Sequence, residues 1–118
     1  VLYGPFSSDV YYQLIATSDV ILIPYSKKSY QARSSGIFAE ALASGVPTLY
    51  PRGTWMARTT TLCGLEYENI SHLHTALIRI LCNYPKYEEQ SIAYNTEWRQ
   101  QHSARNLLKK ILKNSQQL

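Results

Sequence analysis

Arg33-Ser34-Ser35-Gly36-Ile37, followed by Glu40, is the stretch whose residue types and spacing could do chemistry. A helix starting at Ser35-Gly36 leaves its first N–H groups without intrahelical partners, and its dipole makes that end positive. With the Arg33 guanidinium and the hydroxyls of Ser34 and Ser35 beside it, such a start can hold an anion such as phosphate. Gly36 carries no Cβ, so the anion could approach the backbone closely. Glu40 lies four residues on, on the same helix face, with its side chain tilted towards the helix start. A carboxylate repels phosphate but accepts hydrogen bonds from sugar hydroxyls, so the combination reads as a site for a nucleotide. Two plainer readings stay open. Ser35 and Gly36 can act only as a helix cap, and Glu40 can merely complement the dipole, an effect of about 0.3–1 kcal/mol.

These residues need a strand to deliver the chain to them and a helix to carry them. Asp19-Val20-Ile21-Leu22-Ile23-Pro24 is a continuous apolar run that predicts a strand buried on both faces, as in parallel sheets. From Tyr25 to Ser34 the residues are polar and predict a flexible loop. Ile37, Phe38, Ala41 and Leu42 then form the inner face of a helix that Gly45 stops. Upstream, Leu2-Tyr3-Gly4 reads as a strand end, and Ser7-Ser8 caps a helix on Val10, Tyr11, Leu14 and Ile15 that ends near Thr17. Downstream come a strand over Val46 to Pro51, a second loop over Arg52 to Cys63, and a short strand at Leu65-Glu66-Tyr67. Ser71 is expected to cap a helix built on Leu73, Leu77, Ile80 and Leu81, after which residues 84–118 are a helical extension broken at Pro85 and recapped at Ser103. Strand and helix alternate, so the fold class is α/β, a Rossmann-like doubly wound parallel sheet in one domain over 1–118, with C-terminal helices. Ligands of such sheets bind at the carboxyl ends of the strands where strand order reverses, which here means the loops 25–34 and 52–63.

Ser34-Ser35-Gly36-Ile37-Phe38-Ala39-Glu40-Ala41-Leu42-Ala43-Ser44-Gly45-Val46-Pro47 resembles the donor-site segment of group 1 retaining glycosyltransferases of the two-Rossmann GT-B architecture. Gly4-Pro5-Phe6 before a helix, then Ser18-Asp19-Val20 and a strand ending in Pro24-Tyr25, follow that family's order, and the resemblance covers roughly residues 2 to 82. It implies that this is the C-terminal, donor-binding half of such an enzyme. Arg33, Ser34 and the amides of Ser35, Gly36 and Ile37 would hold the diphosphate of a nucleotide sugar, Glu40 its ribose, and Gly4, Pro5 and Phe6 would lie near its base. No metal or other cofactor is implied. The acceptor, a glycan, lipid or small molecule, would sit on a missing N-terminal domain of the same protein. The sequence departs from the family at Ala32, where a second glutamate often stands close to the donor sugar. That departure keeps open a reading as a non-catalytic nucleotide- or phosphate-binding module.

Other function classes lack their signatures. Neither G-x-G-x-x-G nor G-x-x-x-x-G-K-[ST] occurs, and His72, His74 and His102 have no partners at metal-ligand spacing. Trp55 could close over a base or sugar, or pack on the helix layer. Opening on Val1, the 118 residues read as part of a longer chain, and no apolar run approaches a membrane span. A cytoplasmic setting with Cys63 and Cys82 as reduced thiols is therefore expected.

The net charge of +4 arises downstream of residue 50, and from Arg99 onward there is no acid at all. Leu107, Leu108, Ile111 and Leu112 fall on one arc of the last helix, and Arg105, Lys109, Lys110 and Lys113 on the other. The basic arc reads as a solvated face and not as a nucleic-acid surface, with peripheral membrane contact as its second reading.

Overall fold

Tyr50, Phe38, Ile23 and Leu42 are among the largest side chains shut away from solvent, and the elements that bring them together define the fold. The computed structural model describes residues 4–59 and 63–115. Among them the chain forms α1 (Ser8–Ala16), β1 (Ile21–Leu22), α2 (Gly36–Ser44), β2 (Thr48–Pro51), α3 (Trp55–Thr59), β3 (Gly64–Tyr67), α4 (Ile70–Cys82), α5 (Tyr84–Gln101) and α6 (Ala104–Ser115). The architecture is α/β, with one parallel sheet in the order β1-β2-β3. Ile21 stands beside Thr48, and Thr48 beside Gly64. The Leu2-Tyr3 strand end lies outside the described residues, and the described strands run in one direction across the sheet without reversal.

Side chains alternate between the two faces of a strand, and β2 shows it. Tyr50 joins Ile15, Ile21, Ile23, Phe38, Ala41 and Leu42 on the face covered by α1 and α2. Leu49 joins Ala76, Ile80 and Tyr87 on the face covered by α4. Leu22 departs from the expected double burial. It stays 45% exposed, because α4 lies over β2 and β3.

Local chemistry sets the helix ends. The Ser7 and Ser35 hydroxyls accept from the N–H groups of Val10 and Phe38, and Gly45 closes α2 in the left-handed region at φ 70°. Asn69, not Ser71, caps α4, its side-chain oxygen accepting from His72 N at 3.0 Å. α5 starts before the expected break, because Pro85 sits in its first turn, where no amide hydrogen is needed. Its side chains then close the far end of α2. Asn95 Nδ2 donates to the carbonyls of Leu42 and Ala43, and Arg99 Nε to that of Ala43 at 3.0 Å. No disulfide joins Cys63, which is buried, to Cys82, which is exposed.

α6 buries no residue. The radius of gyration, 16.0 Å with extents of 51 × 31 × 30 Å, exceeds the about 13.5 Å of a compact chain this long. Hydrogen exchange should therefore find the amides of 104–113 opening far faster than those around Ala76 and Ile80 in α4. Comparable protection in both helices would contradict this picture of α6.

Candidate functional site

The site is built around the start of α2. Ser35 is buried, and its Oγ accepts from Phe38 N at 3.3 Å, so its side chain serves as the cap. Gly36 and Ile37 follow at the first two helical positions, where amides have no intrahelical partner by construction. Gly36 is exposed, its φ is not in the left-handed region, and a Cβ placed on it meets nothing within 4 Å. The helix start is a shelf that is open at Gly36.

The preceding loop is tied down, contrary to the flexible segment expected. Tyr25 and Tyr30 stack with ring centroids 4.1 Å apart, and the Arg33 guanidinium lies over the Tyr30 ring at 5.6 Å. Tyr30 O accepts from Trp55 N at 2.9 Å, and the Arg58 guanidinium donates to Gln31 O. Arg33 and Ser34 are both exposed at the edge of the shelf. Ala32 is exposed as well and brings no charge.

Glu40 is held from the side. Tyr11 OH donates to Glu40 Oε2 at 2.5 Å, joining α1 to α2 across 29 residues of sequence. The phenol is pushed up to about 12, first by donating to Glu40 and then by burial and the carboxylate's charge. Tyr11 therefore remains the donor throughout the physiological range. Glu40 Oε2 is occupied by this bond, which fixes the carboxylate's orientation. Neither the dipole reading nor the sugar-hydroxyl reading anticipates this partner. Gly4, Pro5 and Phe6 are exposed and lead directly into α1, with the Phe6 ring folded near Gly4.

Part of the second loop is helical. Residues Trp55–Thr59 form α3, whose Met56 is buried and whose Trp55 ring meets Phe38 edge-on at 5.9 Å. Trp55 thus packs onto the helix layer. Arg52 is taken by carboxylates, with Nε 2.7 Å from Glu66 and Nη1 3.5 Å from Glu68. That leaves the loop after β1 as the candidate surface. The tyrosines that brace it, Tyr25 stacked on Tyr30 and Tyr11 bonded to Glu40, pack against the core, and the sole hint in the sequence is two tyrosines flanking Lys27-Lys28.

Other concavities lie elsewhere. One of about 170 Å³ is lined by Leu65, Glu66 and His72, and one of about 270 Å³ by Asp19, Gly45 and Tyr84. Among the described residues no three His, Cys, Asp or Glu side chains are placed to share a metal ion. No helix among them is long and apolar enough to cross a membrane. Comparisons with protein-family models, with curated proteins and with solved structures found no match.

Proposed function

We propose that this chain binds the donor of a glycosyl transfer, a nucleotide diphospho-sugar, as a Rossmann-like doubly wound domain corresponding to the C-terminal half of a GT-B enzyme. The observation that carries the reading is the open start of α2, with amides that lack intrahelical partners at Gly36 and Ile37 and an oriented Glu40 one turn further on. In this reading the amides, joined by Arg33 and Ser34, stabilise the charge that develops on the leaving diphosphate, with no reorganisation during reaction. Glu40 accepts from the ribose through Oε1, while Tyr11 holds Oε2. Gly4, Pro5 and Phe6 stand on the base side. Small-molecule sites bury most of their ligand, whereas this shelf is open, so the acceptor and a second wall come from outside these residues. Saturation-transfer NMR of the intact protein against a panel of nucleotide sugars tests the reading. Ribose and base signals are expected for at least one donor, and silence across the panel would defeat it.

Exposed Ala32, with no carboxylate beside the sugar position, favours a second reading as a non-catalytic nucleotide-binding module. Sugar release from a bound donor in the intact protein separates the two.

Glu40→Gln keeps an acceptor for Tyr11 but gives up the charge. Titration calorimetry should show nucleotide affinity lowered about ten- to hundredfold, the loss of a charge-assisted bond of about 1.5–3 kcal/mol, with the melting temperature lowered by only a few degrees as the Tyr11 bond becomes a neutral one. A 2′,3′-dideoxy nucleotide should bind both proteins about equally. Undiminished ribonucleotide binding would remove Glu40 from the site.

A further inference from the structure

α6 is turned inside out relative to a helix that packs on its own domain. Leu107, Leu108, Ile111 and Leu112 are 53–59% exposed, whereas the least exposed position on the helix is the polar Asn106. Asn106 Nδ2 donates to Gln100 O, and its N–H donates to Ser103 Oγ at 3.3 Å. A cleft of about 450 Å³ between the end of α5 and the polar side of α6 is lined by Arg99, Arg105 and Lys109. The polar side thus faces the chain, and the apolar arc, roughly 140° wide at 100° per residue, faces away from it.

The partner of that arc has to be negatively charged. Arg105 and Lys110 flank the apolar residues, Lys109 and Lys113 lie on the polar side, and no acid follows Arg99 in the sequence. A second copy docked arc to arc would set Arg105 and Lys110 of both copies along the seam with no acid of α6 to neutralise them. A hydrophobic groove on a folded protein is the competing occupant of an arc of leucine and isoleucine on one exposed helix, and absent vesicle binding would point to it. A lipid surface needs no shaped pocket. Apolar side chains enter the acyl boundary, and flanking lysines and arginines reach anionic headgroups. We propose that α6 is an interfacial helix that holds this protein against an anionic lipid bilayer, lying in the plane of the surface without crossing it. The proposal is independent of the donor site.

Vesicle co-sedimentation of the whole protein tests it. Binding to phosphatidylcholine vesicles containing about 30% phosphatidylserine should be at least about tenfold stronger than to phosphatidylcholine alone, and should fade between about 0.1 and 0.5 M salt. Leu108→Glu with Leu112→Glu should abolish binding. Arg105→Glu with Lys110→Glu should remove the preference for the anionic lipid. Because all four side chains are exposed, both double variants should melt at the wild-type temperature, which separates lost binding from lost folding. Equal or absent binding to the two vesicle types would overturn the proposal. So would a solution dimer, seen by sedimentation velocity, that Leu108→Glu dissociates, since the arc would then belong to a second copy.

Discussion

Gly64→Ala is expected to destabilise the fold severely. A Cβ on Gly64 would fall 1.8 Å from Thr48 O, 2.7 Å from its carbonyl carbon and 2.9 Å from its nitrogen. All three are backbone atoms of the strand paired with Gly64, so no side-chain rotation relieves the clash. β3 must separate from β2, and with it goes the support for α4, which packs on both strands. Such a change costs more than about 4 kcal/mol, against a net stability of about 5–15 kcal/mol for a domain. Thermal melting should show a fall of more than about 15 °C or no transition. Gly36→Ala is the control. Its Cβ meets open space at a helical position, so stability should stay level or rise by up to about 1 kcal/mol. A Gly64→Ala protein melting within a few degrees of wild type would show that the β2–β3 register is wrong.

The elements with local signals were legible in the sequence. α1 and α2 announce themselves by Ser7 and Ser35 at their caps, apolar residues three and four apart, and Gly45 at the end of α2. α4 was placed, but its cap was misread because Asn69 and Ser71 are both good caps two residues apart, and only geometry shows which side chain reaches His72 N. α3 was missed. Five residues are too few to show a period, and what fixes them is the burial of Met56 and the contact of Trp55 with Phe38.

The site was legible only as far as one helix carries it. Gly36 and Glu40 share a helix, so their relation follows from spacing. The hydrogen bond from Tyr11 to Glu40 spans 29 residues, and nothing in the sequence around Tyr11 distinguishes it from an ordinary inward-facing aromatic. The stack of Tyr25 on Tyr30 likewise converts a loop that reads as flexible into a platform. Leu22 read as buried because composition reports apolarity and not which strand lies under a covering helix.

Gly36→Asp separates the fold from the anion site, and its expected effect on binding is the largest in the account. The backbone at Gly36 is helical and unobstructed, and an aspartate in the first turn favours the helix dipole, so the variant should melt at or slightly above the wild-type temperature. Yet it places a carboxylate among the amides proposed to hold the diphosphate. At about 5 Å and an effective dielectric of 20, repulsion is about 3 kcal/mol per phosphate charge, which corresponds to more than about a hundredfold in affinity. Titration calorimetry of the intact protein with a nucleoside diphosphate, comparing wild type with Gly36→Asp, tests the claim most directly. Wild type is expected to bind, with a loss of more than about a hundredfold in a variant that still folds. Equal affinity of the two proteins would contradict it, because the phosphates would then not lie at the start of α2.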